Sequence, residues 1–381
     1  LKAMGAVFGQ KFGWERANWF APKGTLQEDS WSFRRSGWFD AVGAEVRNVS
    51  ENAGLLDMSA FAKCRVEGPG AEAFLEHLIA NKLPRKTGRI VLAHALAPRG
   101  GVHSEFTIIR ESNNSFYIVS AGAAQRLDHD WLKMHMPDDR SVSFVDLTNA
   151  MGVLVLAGPK SRDILKQLTH SDLANEAFPW LSARLIDVGL APTIAARLNF
   201  VGELGWELHH PIEYQNHIFD ALFRVGEAYG LKPFGIRAMD TMRLEKSYRM
   251  VGTELSIEYA ALESGLDRFV QMQKPDFVGR EGLVTWQERG FENSFVTMRV
   301  DNVTDADAIG GNPLYLNGAL VGRATSGGYG FRVRASLALA MVSTAHAQLG
   351  TKLEIDILGT RYEAEIIKES PFDPNNDRLR S

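Results

Sequence analysis

The hydrophobic periodicity of the chain changes near residue 290, and this change constrains the fold more than any other feature of the sequence. Apolar residues alternate with polar ones over residues 296–300 and again over residues 353–357. A period of two places successive side chains on opposite faces of a β-strand. Glycines and turn residues separate these runs, so the sequence predicts a small all-β domain in the C-terminal part of the chain.

Patterns typical of strands and of helices interleave before residue 290. Apolar residues three and four apart indicate amphipathic helices, whereas short runs rich in β-branched and aromatic residues indicate strands. Gly54 and Gly230 are expected to end helices in the left-handed conformation. The predicted elements are a helix over residues 45–53, a strand over 64–68, a helix opened by Pro69, a hairpin of residues 105–110 and 115–120, a strand over 152–158, a helix from Lys160 and a helix over 213–229.

Two segments share one pattern, a strand followed by Gly-Pro and a helix. They are VEGPGAEAFL and LAGPKSRDIL, whose Gly-Pro pairs begin at Gly68 and Gly158. This repeated pattern predicts two related α+β modules, or one motif used twice. The first copy also matches the dinucleotide fingerprint G-x-G-x-x-A, but the following NKLPRKTGRIV lacks the acidic residue that would bind the ribose. Because the second copy loses the second glycine, we interpret the shared feature as a turn.

The composition excludes several classes of partner. Lys and Arg total 42 against 46 Asp and Glu, a formal net charge of −4, so no nucleic-acid partner is expected. No run of 18 apolar residues occurs, so no membrane partner is expected either. The one cysteine, Cys64, forms no intramolecular disulfide, which fits a reducing compartment. We expect a cytoplasmic protein, or a mitochondrial-matrix protein if the source is eukaryotic.

No metal site is predicted. His209-His210 and Asp128-His129-Asp130 are runs of possible metal ligands. The residues in each run are neighbours in the chain, and neighbouring residues of a strand point to opposite faces. The chain contains neither H-E-x-x-H nor paired cysteines. It also lacks the G-x-S-x-G elbow of a serine nucleophile. We therefore expect these clustered side chains to be solvated or capped.

Residues 197–211, RLNFVGELGWELHHP, combine aromatic rings, glycines and carboxylates. Phe200 and Trp206 could lie on either side of a flat ring. Glu203 or Glu207 could accept a pair of N–H bonds from an aminopyrimidine. The alternative is a β-hairpin with solvated glutamates, which the residues alone favour because exposed glutamates are the norm.

A second candidate lies in APRGGVHSEFTII, where Gly100 and Gly101 form a turn before Glu105. A carboxylate at a junction between a loop and a strand can be held in a cleft and tuned for proton transfer. The alternative is a strand-end glutamate that faces water, and the residues alone favour that interpretation.

Taken together and in order, these segments resemble the aminomethyltransferase family, which includes the T-protein of the glycine cleavage system. The resemblance covers most of the chain and is closest to the folate-binding C-terminal region of dimethylglycine and sarcosine dehydrogenases. In those enzymes an FAD amine-oxidase domain precedes this region. The segments that carry the resemblance are FGWERANWFAP, GLLDMSAFAKCRVEGPGAEAFL, APRGGVHSEFTII, FVGELGWELHHP, MDTMRLEKSYRMVGTEL, LESGLDRFV, DFVGRE, ATSGGYG and ESPFDP.

The resemblance implies an α+β fold in which three domains form a cloverleaf around a central folate channel. Two domains would be α+β, and the third would be a C-terminal β-barrel-like domain. The folate-binding domain is expected to be discontinuous, over residues 1–60 and 148–268, with residues 61–147 as the second domain and 285–381 as the third. Tetrahydrofolate is the expected cofactor, with FAD only in a missing upstream domain or a separate partner.

The same resemblance implies roles for single residues. Glu207 matches the family glutamate that binds the amino-pyrimidine edge of the pterin. Phe200 stands where a pterin-stacking tyrosine is usual, and Glu203 and Trp206 complete the cofactor-binding candidates. Glu105 stands where the family has its functional aspartate, so it is the catalytic candidate.

Two positions depart from the T-protein pattern. Ser104 replaces an acid beside the functional carboxylate, and Met239 replaces the folate-site arginine. The methionine argues against ordinary aminomethyl transfer from a lipoyl arm. Arg243 and Glu245 retain the R-L-E that follows, and we expect their role to be structural.

The implied function is tetrahydrofolate-dependent one-carbon transfer, in which a methylene or methyl group passes to folate from a methylated amine such as dimethylglycine or sarcosine. The expected partners are this small-molecule donor and an FAD-containing oxidoreductase domain or subunit. Two alternatives remain open. One is a stand-alone demethylase of a sulfonium, amine or aryl ether that produces 5-methyltetrahydrofolate, and the other is a non-catalytic folate-binding module.

Overall fold

The aromatic N-terminal segment folds into a hairpin that packs on the first helix. The computed structural model describes residues 1–381. Strand β1 (Ala6–Lys11) pairs antiparallel with β2 (Trp14–Phe20), and helix α1 (Phe39–Glu51) follows. Trp19 of β2 is buried in one hydrophobic cluster with apolar residues of α1. The hairpin therefore covers apolar surface that would otherwise meet solvent.

Helix α1 differs from the helix predicted over residues 45–53. It begins at Phe39, and Gly54 does not end it but lies inside strand β3 (Ala53–Asp57). A Cβ at Gly54 would approach side-chain atoms of Phe234 and Val49 to 2.6 Å. The glycine is needed because two other elements pack closely against the strand, a constraint that local periodicity does not report.

Residues 62–146 form an antiparallel sheet of five strands, with two helices against one face. The elements in chain order are β4 (Ala62–Glu67), α2 (Ala71–Leu78), β5 (Ile90–Leu96), β6 (Val102–Arg110), β7 (Ser115–Ser120), α3 (Gln125–Met134) and β8 (Ser143–Asp146). Their spatial order is β5-β6-β7-β4-β8. The predicted hairpin is confirmed, because β6 pairs with β7 across a short turn.

A six-stranded sheet is formed mainly by residues 151–233. The further elements are β9 (Met151–Ala157), α4 (Ser161–Lys166), β10 (Ala183–Val188), β11 (Ala191–Ala196), β12 (Gly205–Pro211), α5 (Gln215–Gly226), β13 (Leu231–Pro233) and α6 (Ile236–Leu244). Their spatial order is β10-β11-β12-β9-β3-β13, in which only β3 and β13 run parallel. Helices α4 and α5 bury one face of this sheet, whereas α1, α6 and the N-terminal hairpin bury the other.

The two Gly-Pro turns are the same structure used twice. Gly68 and Gly158 have φ values of 124° and 123°, a region that favours glycine. A Cβ would lie 2.3 Å from the carbonyl oxygen of Ser141 at the first position and 2.5 Å from that of Val49 at the second. Both turns join a strand to a helix, as the sequence predicts, and the glycines serve close backbone packing.

The C-terminal part is a closed six-stranded barrel in the order β14-β17-β16-β15-β18-β19. Its elements, preceded and followed by a helix, are α7 (Arg280–Arg289), β14 (Asn293–Val300), β15 (Pro313–Leu316), β16 (Ala319–Gly330), β17 (Ala335–Ser343), β18 (Lys352–Ile357), β19 (Thr360–Ile367) and α8 (Asp377–Arg380). The apolar sides of the alternating runs fill its interior, as predicted. The domain bounds 1–60 with 148–268, 61–147 and 285–381 stay predictions. None of the helices is both long and apolar enough to span a bilayer.

The buried carboxylate of Glu45 ties the N-terminal hairpin to helix α6. It accepts N–H bonds from Phe20 at 2.7 Å and from Gly235 at 2.8 Å. Burial is the largest influence on this carboxyl group and raises its pKa from 4.5 to about 7. The folded protein therefore binds this proton more tightly than the unfolded chain does, and the associated stability is present below pH 4.5 and lost as the pH rises through 7.

When the pH is raised from 5 to 8, deprotonation of Glu45 is expected to lower the free energy of unfolding by about 2–3 kcal/mol. Urea unfolding of the wild-type protein and of Glu45→Gln, each measured at both pH values, isolates this part of the pH dependence. Glutamine does not titrate, so the variant should show a smaller loss of stability. Equal losses in the two proteins would contradict the prediction.

Candidate functional site

Two sheets face each other across an apolar contact, and the predicted site carboxylates lie on the facing surfaces. Ile109 and Tyr117 of the five-stranded sheet share this contact with Ala196 of the six-stranded sheet. Glu105 lies on the same face of β6 as Ile109, because residues an even number apart in a strand point the same way. Glu207 is paired directly with Ala196 and shares its face. Both carboxylates therefore project toward the space between the sheets.

Glu207 is a buried carboxylate without a cationic side chain from Lys or Arg. It lies in β12 and is 7% exposed. Its hydrogen bond is to Nε2 of His209, at 3.3 Å from its Oε2 atom. Because an ionised carboxylate can accept about four hydrogen bonds, Glu207 retains acceptor capacity for a ligand.

A chain of buried hydrogen bonds joins Glu207 to the facing sheet. The hydroxyl of Tyr117 lies 3.2 Å from Nδ1 of His209, and both residues are at most 1% exposed. The pattern assigns the proton to Nε2, which donates to Glu207, while Nδ1 accepts from the tyrosine. Sequence analysis missed His209 as a partner of Glu207. The available signal was its spacing, since it lies two residues further along the same strand face.

The structure corrects the expectation that Phe200 and Trp206 enclose a flat ring. Trp206 is fully buried on the opposite face of β12, where its ring centroid lies 6.1 Å from that of Phe178. It neighbours Glu207 in a strand, so the two side chains must point in opposite directions. Phe200 instead pairs with Tyr248, with ring centroids 5.6 Å apart and planes inclined by 31°. Tyr248 is a second aromatic residue that the sequence analysis missed.

Glu203 is buried rather than solvated, which also corrects the sequence interpretation. It is 1% exposed. Its Oε1 atom lies 3.0 Å from Nη1 of Arg332, and its Oε2 atom lies 2.7 Å from Nε of Arg378. Burial raises the pKa of Glu203 and the two arginines oppose that rise. Since both oxygens hold arginines, Glu203 connects the β11–β12 loop to the barrel and the C-terminal helix and is not available to a cofactor.

Replacing Glu203 by alanine should lower the free energy of unfolding by about 1–3 kcal/mol, the cost of leaving buried partners unsatisfied. The loss of stability is limited because Arg332 keeps a second partner, Glu245, and because the side chain of Arg378 is 41% exposed to water. Urea unfolding measures the change, and Glu213→Ala on the exposed turn before α5 is the matched control. A Glu203→Ala protein as stable as the control would show that these ion pairs contribute nothing net.

Glu105 lies within β6 rather than at its start, because the strand begins at Val102. Gly100 takes a φ of 88° in the turn before it. The side chain of Glu105 is 30% exposed, and its Oε1 atom lies 3.2 Å from Nε2 of His94 on β5. This partially exposed carboxylate is the acidic group of β6 that faces the space between the sheets.

Ser104, the neighbour of Glu105, points to the opposite face of the sheet and contacts helix α3. Its hydroxyl donates to Asp128 at 2.6 Å, and Ser120 donates to the same carboxylate at 2.6 Å. Burial raises the pKa of Asp128 to about 6. Ser104 therefore anchors α3 to the sheet, and its neighbour Glu105 points toward the facing sheet.

Arg243 and Glu245 are fully engaged in contacts between α6 and the barrel. Nε of Arg243 lies 2.7 Å from Asp240, and its Nη2 donates to Ser326 of β16 at 2.8 Å. Glu245 pairs with Arg332. Their role in the described structure is structural, as predicted.

Comparisons with known proteins agree with this architecture. Models of the GCVT N-terminal domain and of the glycine cleavage T-protein C-terminal barrel domain match residues 1–274 and 293–373. Mitochondrial dimethylglycine dehydrogenase of Homo sapiens is 34% identical over 97% of this chain and 43% of its own length. The aminomethyltransferase of Thermoanaerobacter sp. (strain X514) is 30% identical over 89% of this chain and 93% of its own length.

A solved structure shares the whole fold. The glycine cleavage system aminomethyltransferase T from Bartonella henselae matches with a TM-score of 0.85 and 20% sequence identity, covering 98% of this chain and 96% of that one. The expected α+β fold with a C-terminal barrel is thereby confirmed. The chain spans about half the length of the dimethylglycine dehydrogenase that it matches. It belongs to the aminomethyltransferase family, the family of the glycine cleavage T-protein.

Proposed function

We propose that the chain transfers a one-carbon unit from a methylated amine, such as dimethylglycine or sarcosine, to tetrahydrofolate. The observation that carries this proposal is the pair of carboxylates on facing sheet surfaces. One of them, Glu207, is buried with acceptor capacity to spare. The other, Glu105, is partly exposed and held by a histidine. In this proposal Glu207 binds folate and Glu105 accepts the proton that the transfer releases.

The residues present fit a reduced pterin. An aminopyrimidine edge offers adjacent N–H donors, and a buried carboxylate such as Glu207 accepts them in a charge-assisted pair. His209 keeps the carboxylate in one orientation through its Nε2–H bond. Phe200 pairs with Tyr248, and we propose that this aromatic pair contacts the pterin, because a ring face suits a flat heterocycle.

Bound folate would supply the nucleophilic nitrogen that receives the one-carbon unit. As the new carbon–nitrogen bond forms, that nitrogen loses a proton, and Glu105 is the group proposed to accept it. Glu207 is buried beside the apolar contact between the sheets, and a buried environment strengthens its hydrogen bonds. Holding the donor and acceptor in line supplies a large part of the rate enhancement.

The one-carbon donor and its source are also part of the proposal. The chain covers less than half of dimethylglycine dehydrogenase, so we propose that an FAD-containing oxidoreductase domain or subunit supplies the oxidised methylamine. The expected sites of action are the cytoplasm or, in a eukaryote, the mitochondrial matrix. Met239 in place of the family arginine supports this donor over a lipoyl-bound aminomethyl group.

Calorimetric titration with tetrahydrofolate and, separately, with FAD tests the binding part of this proposal. We expect saturable binding of tetrahydrofolate and none of FAD, because the strand–Gly-Pro–helix turns are closed by backbone packing. Binding of FAD without binding of tetrahydrofolate would contradict the proposal.

Product analysis then separates the remaining functions. With formaldehyde as the one-carbon source, formation of 5,10-methylenetetrahydrofolate faster than in a protein-free control supports the proposed transfer. Formation of 5-methyltetrahydrofolate from a sulfonium, amine or aryl ether would instead identify a stand-alone demethylase. Folate binding without turnover on any of these donors would identify a binding module.

A further inference from the structure

The imidazole of His94 is the hydrogen-bond partner of Glu105. The two residues lie directly opposite each other in the β5–β6 ladder, and Nε2 of His94 is 3.2 Å from Oε1 of Glu105. The histidine side chain is 1% exposed, whereas that of the glutamate is 30% exposed. One end of this pair is therefore fixed in the core, and the other reaches the space between the sheets.

We propose that His94 is a positioning residue whose Nε2–H holds one oxygen of Glu105, so that the other oxygen is presented to the reacting nitrogen. The inference rests on the proposed function, in which Glu105 accepts a proton. It goes further by naming the residue that orients the carboxylate and the ring atom through which it acts.

The surroundings of His94 determine which ring nitrogen carries the proton. Nδ1 is buried and has no hydrogen-bond partner. A proton on Nδ1 would leave a buried donor unsatisfied and would direct the lone pair of Nε2 at a carboxylate oxygen, and both effects are unfavourable. The Nε2–H form satisfies Glu105 and leaves only a weak acceptor without a partner. His94 can therefore donate to Glu105, but it offers no onward path for a proton.

The orientation of the ring is set by packing. Phe269 lies edge-on to His94, with ring centroids 5.3 Å apart and planes at 70°. Phe269 belongs to the segment that links the six-stranded sheet to the barrel. A residue from outside the five-stranded sheet therefore packs against the imidazole. A group locked by packing holds its partner within the small tolerances that catalysis requires.

A β-bulge ensures that Glu105 points toward His94 and the facing sheet. The register of β5 and β6 shifts between Ala95 and Leu96. Next to this shift, His103 stacks on Trp131 of α3 at 3.9 Å and Ser104 donates to Asp128 of α3, so two successive residues of β6 contact the same helix. Bulges re-aim side chains in this way, and Glu105 is consequently left on the opposite face.

The ligand-free protein provides the first test. In protein labelled with ¹⁵N-histidine, long-range ¹H–¹⁵N spectra distinguish a protonated ring nitrogen from a bare one. The His94 signals are assigned by their loss in His94→Gln. We expect a protonated Nε2, a bare Nδ1, and a shift of the Nε2 signal in Glu105→Gln. A protonated Nδ1, or a His94 spectrum that Glu105→Gln leaves unchanged, would overturn the inference.

Kinetics of three variants provides the second test, with formaldehyde and tetrahydrofolate as substrates. His94→Leu should lower kcat about 10- to 100-fold, the scale of misplacing a reacting group, and leave the Kd for tetrahydrofolate within a few-fold. His94→Gln retains an N–H at the same number of bonds from Cβ and should recover most of the rate. His170→Leu, on the exposed loop after α4, is the control and should match the wild type.

The outcomes separate this inference from the proposed function. A wild-type protein without turnover would contradict the proposed function. A wild-type protein with normal turnover and a His94→Leu variant of equal kcat would overturn the positioning role alone. If His94→Leu fails to fold, the rate of His94→Gln relative to His170→Leu still decides, because a rate far below the control would refute the N–H donation.

Discussion

Replacing Glu105 by glutamine is expected to slow one-carbon transfer at least about tenfold, because general-base catalysis typically contributes roughly 10²- to 10⁴-fold. Glutamine keeps the shape of the side chain but removes the charge and the basic oxygen. The residue is 30% exposed and has one side-chain partner, His94, so folding should change little. Folate affinity should stay within a few-fold of the wild-type value, because Glu207 and not Glu105 is proposed to bind the pterin.

The measurement is single-turnover formation of methylene- or methyl-folate, with thermal unfolding recorded in parallel. Glu105→Asp should retain partial activity, since the carboxylate remains but sits one methylene further from the substrate. Glu288→Gln, on the exposed surface of α7, is a charge-matched control far along the chain from β6. Unchanged product formation in Glu105→Gln would show that Glu105 is only a strand carboxylate, and the catalytic role would have to move to another residue.

Replacing Glu207 by alanine is expected to weaken tetrahydrofolate binding by roughly 2–4 kcal/mol, the scale of losing charge-assisted hydrogen bonds in a desolvated site. This corresponds to a rise in Kd of roughly 30- to 1000-fold. Calorimetry with the wild-type and variant proteins measures it directly. The effect should fall on binding more than on folding, because Glu207 forms no ion pair with an arginine or lysine and its one hydrogen bond is long, at 3.3 Å.

Glu203→Ala is the matched comparison for this measurement. It removes a carboxylate four residues away that is equally buried but fully occupied by Arg332 and Arg378. We expect Glu203→Ala to lower stability and leave the Kd for folate nearly unchanged, and Glu207→Ala to do the reverse. Equal losses of folate affinity in the two variants would refute the assignment of Glu207 as the pterin-binding residue.

Much of the fold follows from local patterns. The period of two after residue 290 predicts the barrel strands, and the repeated Gly-Pro turn predicts two strand-to-helix connections that the structure shows with nearly identical φ values. The hairpin of β6 and β7 was predictable for the same reason, and so was the left-handed Gly230, which ends the short 3₁₀ turn that follows α5. Each depends on interactions between residues close in the chain, whose geometry is set by backbone preferences.

The sequence also identified the two segments that contain the candidate site, but it did so mainly through a family resemblance. On residues alone, Glu105 and Glu207 could not be distinguished from ordinary exposed glutamates. The structure shows why local patterns fail here. Glu207 is buried because β9 and β11 flank β12 on both sides and the five-stranded sheet faces it, and none of these neighbours is visible in a window around the residue.

The sequence by itself predicted several of the periodic helices and strands and the all-β character of the C-terminal part, and a family resemblance pointed to the barrel and to the two candidate carboxylates. Only the tertiary structure decided what each polar residue contacts. Glu203 is bound by arginines 129 and 175 positions later in the chain, Glu207 is linked through His209 to Tyr117 of the other sheet, and Trp206 lies in the core. The period of hydrophobic residues reflects backbone geometry over a few neighbouring residues. The partner of a buried charge depends instead on which distant segments the fold brings beside it.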